Sequence, residues 1–138
     1  MKLKRTVLLK MVLTPDLRSE LREEYEGFIR KYEVELEQLH FQSKKWIQEA
    51  LRKGPDAQKI VQDRLQKEEK ARKDKVKQYT EMLHQLSLLP DESEIVHSQL
   101  EGEVEVNIGD HWDKLIGKSE IVVRDGIVIE IREGGVKS

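Results

Sequence analysis

Apolar residues recur along this chain with three different rhythms. Near the start, Val7, Leu9, Met11 and Leu13 alternate with Leu8, Lys10 and Val12, the period of a strand with one apolar and one mixed face. Thr14 then offers an N-cap hydroxyl, Pro15 suits a first helical position because no N–H is needed there, and Asp16 complements the helix dipole. From this start to Lys53 no proline appears, and Leu21, Tyr25, Phe28, Tyr32, Leu36, Leu39, Trp46 and Ala50 recur in steps of three or four, with Ser43 filling the one gap. The mean step is closer to 3.6 than to 3.5, which favours a nearly straight seam over a steadily left-handed supercoil. At ~1.5 Å per residue the helix would run roughly 55 Å.

Arg52-Lys53 followed by Gly54 reads as a helix end, and Pro55-Asp56 restarts a helix at once. So short a link makes the two helices antiparallel neighbours. The second helix, about Asp56 to Gln85, carries Val61, Leu65, Val76, Tyr79, Leu83 and Leu86 on its seam. Folding back at Gly54-Pro55 pairs position i with about 109−i, which places Tyr79 near Arg30 between Phe28 and Tyr32, and His40 near Glu69. Glu68 and Arg72 stand where that seam calls for apolar groups, at the i, i+4 spacing that lets them pair with each other.

After Pro90 the rhythm changes again. Leu100, Gly102, Val104, Val106 and Ile108 alternate with Glu101, Glu103, Glu105 and Asn107, a half-buried strand with an acidic outer face. Gly109-Asp110 breaks it, and a loop or short turn with Trp112 and Leu115 leads to a hairpin turning at Asp125-Gly126. A two-residue loop would align Ile121, Val123, Val128 and Glu130; a three-residue loop Arg124-Asp125-Gly126, with Gly126 left-handed in a bulge, would align Ile121, Val123, Ile127, Ile129 and Ile131. The cleaner apolar face favours the second.

These elements predict an α+β fold: a long antiparallel, coiled-coil-like two-helix hairpin over 15–85, inserted between an N-terminal strand and a C-terminal three-stranded antiparallel sheet. Residues 1–14 and 86–138 would together form a small sheet or open barrel from which the hairpin projects as an arm. The rival arrangement swaps strand 1 into another chain.

Composition narrows the function. Over 138 residues, 38% are charged and 37% apolar, with no cysteine; the expectation is an elongated molecule with a thin core, without thiolate metal sites or disulfides, in a reducing cytoplasm. No apolar run approaches the ~20 residues of a membrane span, and Lys10 and Thr14-Pro15-Asp16 interrupt the stretch that would otherwise mimic a signal peptide. The net charge of −2 averages +4 over residues 1–13, −1 over 14–55, +2 over 56–84 and −7 over 85–138.

Candidate chemistry is sparse. Of the four histidines only His111 lies in a cluster of ligand types, Asp110-His111-Trp112-Asp113, and local spacing converges at most two of its groups. A polar turn with Trp112 anchoring the loop to the sheet is the preferred reading of those residues. No phosphate-cradling glycine pattern, nucleophile elbow or HExxH motif occurs, and the serines have no motif context. The expectation is therefore no catalytic residue, no metal, no cofactor and no small-molecule substrate. Arg64, Lys67, Lys70, Lys73 and Lys77 recur every three or four residues along helix 2 and could track the phosphates of a nucleic acid. Asp63–Lys67 and Glu69–Lys73 stand at helix-stabilising spacing among them, so an ordinary solvated face fits the same pattern. Val34 and Phe41 are apolar on the outer side of helix 1, and Trp46, Ile47 and Leu51, with Ile60 opposite, crowd the tip of the hairpin. These residues are candidates for contact with a second copy or a protein partner.

Several stretches resemble the YlqD family of small bacterial proteins: Lys10-Met11-Val12-Leu13-Thr14; Leu39-His40-Phe41-Gln42-Ser43-Lys44-Lys45; and above all Val106-Asn107-Ile108-Gly109-Asp110-His111-Trp112-Asp113 followed by Glu120-Ile121-Val122-Val123-Arg124-Asp125-Gly126-Ile127-Val128. The resemblance covers essentially the whole chain and carries no catalytic residues with it. Because members of that family are often encoded beside ribosomal-protein and ribosome-maturation genes, it implies a ribosome- or RNA-associated factor. The competing expectation is a protein-binding adaptor or chaperone-like module that grips a partner with the hairpin tip and self-associates.

Overall fold

The computed structural model describes residues 1–133; residues 134–138, the end of the expected small β-domain and with them Ser138, lie outside the described residues. The order is β1 (Lys2–Val12), α1 (Pro15–Lys53), α2 (Pro55–Leu88), β2 (Glu94–Glu105), α3 (Trp112–Ile116), β3 (Ser119–Arg124) and β4 (Ile127–Arg132). The chain divides into a β unit, residues 1–18 with the segment from Leu89 onward, and a helical unit, Ser19–Leu88. The architecture is the α+β arrangement expected, and β1 pairs within its own chain.

The four described strands form an open mixed sheet of order β2-β1-β3-β4. Strand β1 is not an addition to one edge of a C-terminal antiparallel sheet; it separates β2 from β3. It runs antiparallel to β2 from Lys2↔Glu105 to Val12↔Glu94, and parallel to β3 from Val7↔Ser119 to Met11↔Val123. A parallel neighbour needs a long crossover, and every other element before β3 lies in the connection between β1 and β3. Strand β2 starts at Glu94 and stops at Glu105, short of the expected Ile108. There Asp110 Oδ2 accepts the Asn107 N–H at 2.7 Å and Gly109 adopts φ +101°, turning the chain away.

The β3–β4 turn overturns the three-residue reading. Arg124 pairs with Ile127 and Val123 with Val128, so the loop is Asp125-Gly126, with φ +47° and +81°. Both residue types tolerate left-handed backbone, and a primed two-residue turn matches the twist of its strands. Further on, a shift in register returns Ile131, though not Ile127, to the side of Ile121 and Val123. Val122 pairs with Glu130 and Ile121 with Ile131, leaving Ile129 as the extra residue of a bulge.

Thr14 ties that turn to the start of α1. Its hydroxyl oxygen accepts the Leu17 N–H at 3.2 Å, as an N-cap should, and its O–H donates to Asp125 Oδ1 at 2.8 Å. Leu13, fully buried, pairs its N–H with the Ser93 carbonyl and its carbonyl with the Glu92 N–H. Arg18 donates to Asp91 at 3.0 Å and to the Leu89 carbonyl at 2.6 Å. Arg124 holds Glu92 through both guanidinium nitrogens.

One face of the sheet carries its charges. Lys10 lies 2.9 Å from Glu120, and Arg132 bonds Glu94 at 2.6 Å, Glu120 at 3.0 Å and Glu130 at 2.9 Å. Hydrogen bonds from Lys10 and then Arg132 hold the Glu120 carboxyl below its ordinary value of 4.5.

In the helical unit the expected seam is the inner face: Leu39, Ala50 and Leu86 are buried, and the remaining seam positions are half-buried. Tyr79 stacks on Phe28 at 4.8 Å between ring centres, with Tyr25 at 6.1 Å and Tyr32 at 6.2 Å, the register that antiparallel folding at Gly54 requires. Burial, with Glu24 and Tyr79 nearby, pushes the Tyr25 hydroxyl pKa up. Arg72 pairs with Glu68 at 2.6 Å and lies 3.9 Å from Glu35, so the polar interruption of the seam is bridged both along α2 and across to α1. The turn itself is Gly54, at φ +109°, whose N–H donates to the Ala50 carbonyl.

Two outcomes are expected. Thr14→Val removes both the cap and the tie to Asp125 and should lower the unfolding free energy by about 2 kcal/mol, read as a lower urea midpoint at unchanged slope. The depressed Glu120 pKa stabilises the fold fully above the ordinary carboxylate value, and that contribution is lost as pH falls through the lower folded value. The urea midpoint should therefore drop on acidification from neutrality, and Glu120→Gln should drop less over the same range.

Candidate functional site

The features singled out in the hairpin fall into a basic row on α2, an outer apolar pair on α1, and the tip where the two helices meet. The row is thinner than the sequence suggests. Lys73 is 2.6 Å from Glu69, and its hydrogen bond and charge hold the Glu69 carboxyl below its ordinary value. Arg64 lies over the Trp46 ring, 5.0 Å from its centre. Lys67, Lys70 and Lys77 are exposed and make no ion pair among the described residues. Three of the five cations are thus available to a ligand without first breaking a contact.

The tip is more organised. Trp46, Glu49, Ala50 and Lys53 from the end of α1 and Ala57, Ile60, Val61 and Arg64 from the start of α2 line a groove of about 370 Å³. A neighbouring depression of about 360 Å³ shares Ile60 and Arg64 and adds Asp63, Lys67 and Glu68. The helical period puts Trp46 and Ala50 on one face of α1, and Ala57, Val61 and Arg64 on one face of α2. The small Ala50 and Ala57 leave the hollow that larger residues would fill. Ile60, which lines it, is 68% exposed, while Ile47 and Leu51 are exposed nearby in sequence without lining it. The Arg64–Trp46 contact gives the groove a cationic, aromatic wall. Ala57, Glu49 and Lys53 were missed by sequence reasoning; the link at Gly54-Pro55 carries the signal, since it brings residues equidistant from the turn together.

Val34 and Phe41 are on the outer face as expected, Phe41 at 79% exposure, and they do not join the tip groove. In the β unit, Asp110 is engaged in the Asn107 turn, and His111 precedes α3 without a side-chain cap bond. Trp112 does not anchor the loop: it is 56% exposed, and Leu115 is the half-buried residue of α3. No group of three or more histidine and acidic residues among the described residues is arranged to hold a metal ion. No helix among the described residues is long and apolar enough to cross a membrane.

Comparison with known proteins places this fold. A solved structure, the crystal structure of a protein of unknown function from Synechococcus sp. WH 8102, superposes with a TM-score of 0.84 over 96% of each chain at 22% identity, a likeness of fold. The uncharacterized protein YlqD of Bacillus subtilis (strain 168) is 28% identical over 127 residues, covering 92% of this chain and 94% of that protein. The family described as YlqD protein matches residues 1–132, which include both strand-rich ends and the whole helical hairpin, and the chain belongs to the YlqD family.

Proposed function

We propose that this protein is a cytoplasmic, non-enzymatic interaction module whose hairpin tip binds an apolar segment of a protein partner. The observation that carries this reading is the tip groove. It combines a hollow between Ala50 and Ala57, exposed Ile60, and the Trp46–Arg64 pair. A concave, largely apolar site with a few charged groups at its rim suits a hydrophobic side chain presented by another protein. Glu49 and Lys53 flank the groove and would fix the orientation of what enters it.

A second reading is supported by the exposed row Lys67, Lys70 and Lys77. Cations at helical spacing, with no ion pair among the described residues, could follow the phosphates of RNA, in keeping with a ribosome-associated role. The intervening carboxylates Glu68, Glu69 and Asp74 reduce the field that such a row produces, which is why the tip is preferred.

The two readings separate in one experiment, a pull-down of the full chain from cell extract with and without nuclease. The tip reading expects a partner that survives nuclease and is lost with Ile60→Asp, while circular dichroism stays unchanged. Loss of the captured partner on nuclease treatment would count against it. The RNA reading expects binding that weakens steeply with salt and whose log–log salt slope falls by ~2 when Lys67, Lys70 and Lys77 are replaced by glutamine.

A further inference from the structure

The β unit has a partly exposed apolar face on the side opposite its charges, most open at β4. Strand registers place Leu9 and Met11 of β1, Ile121 and Val123 of β3, and Val128 and Ile131 of β4 on one side of the sheet. None of the six is buried, and Val128 and Ile131 are more than half exposed. By the same registers Val12 and Val122 belong to the opposite side, with Lys10, Glu120 and Arg132, and it is they that are buried, at 6% and 1%. On the apolar side only Ser119 is buried, at 3%, so at β3 and β4 the large apolar side chains of that side stay partly exposed while Val122 is buried among the charges.

We propose that this apolar face is a dimer interface, covered by the same face of a second copy of the chain. Among the strand residues that the registers assign to this side, Arg5 is the sole charged one. A nucleic acid or an acidic peptide would find almost nothing to pair with there, whereas an uncharged apolar surface is complementary to itself about a two-fold axis. The area is also of the right size. Val128 and Ile131 on β4 and Leu100 on β2, each about half exposed, approach the ~300–600 Å² of the largest patch on a typical monomer. The half-buried row of β1 and β3 extends this toward the ~800 Å² per partner of a standard interface. Two such sheets would stack ~10 Å apart as a sandwich across the two-fold axis. The acidic outer face of β2, with Glu101, Glu103 and Glu105, opposes stacking through the other side, where like charges would meet.

The test is the solution mass of the full chain by sedimentation or light scattering across micromolar concentrations. The expected result is twice the chain mass of 16.2 kDa, halved by Val128→Glu/Ile131→Glu with unchanged circular dichroism, and not altered by Val34→Ser/Phe41→Ser on the helical hairpin. A monomeric wild type throughout that range, or a double-glutamate variant that remains dimeric, would overturn the proposal. A second measurement does not depend on how well that variant folds. The chain has no cysteine, so single spin labels can be placed at Ile131→Cys on the apolar face and at Lys4→Cys on the charged face. Strong label–label coupling at 131 with none at 4 is expected; the reverse, or coupling at neither, would also refute the interface.

Discussion

Strand β1 has both of its hydrogen-bonding edges occupied, β2 running antiparallel along one and β3 parallel along the other. Without it, β2 would have no neighbour in the sheet, and β3 and β4 would be left as a lone hairpin, which is marginal in water. Its pairings join residues about a hundred positions apart, such as Lys2 with Glu105 and Leu9 with Ile121. The sheet therefore forms only after a long loop has closed. The intervening helices offset part of that cost, because each can form by local hydrogen bonding and they meet through a tight turn at Gly54.

The ends of β1 and β3 are secured by polar contacts more than by apolar mass. Thr14 caps α1 and bonds the β3–β4 turn through one hydroxyl, while Arg18, Arg124 and Arg132 each hold at least one carboxylate. Exposed ion pairs contribute little one at a time. Arg132 is different in arrangement, since it joins β4 to Glu120 on β3 and to Glu94 on β2, spanning the sheet. In the hairpin, Arg72 plays a similar part between Glu68 on its own helix and Glu35 on the other. Replacing such groups by apolar ones would widen the seam's dry area but remove a feature that distinguishes one register from its neighbours.

Much of the hairpin was legible from residues alone. Thr14-Pro15-Asp16, the uninterrupted seam from Leu21 to Ala50 and the Lys53-Gly54-Pro55 break each act within a turn or two of helix, so their consequences are local, and α1 indeed runs from Pro15 to Lys53. Local spacing also identified the exposed Phe41, Ile47 and Ile60 of the candidate surfaces. It could not foresee that Arg64 would lie on Trp46 or that Ala57 would leave a hollow opposite Ala50, because those contacts depend on the rotation of two helices about each other. The β4 register was misjudged for a related reason. A clean apolar face can be produced by a longer loop or by a tight loop and a later bulge, and periodicity weighs the two equally.

What the amino-acid order settled by itself was the kind and approximate extent of the two long helices, the presence of a C-terminal hairpin and the apolar or charged character of each strand face. All of these follow from side-chain period, capping and turn chemistry between near neighbours. Tertiary structure decided the order of the strands, with β1 between β2 and β3, and which strand residues become buried. Both depend on which distant segments pair, and the energy separating those choices is spread over many weak contacts instead of residing in any motif.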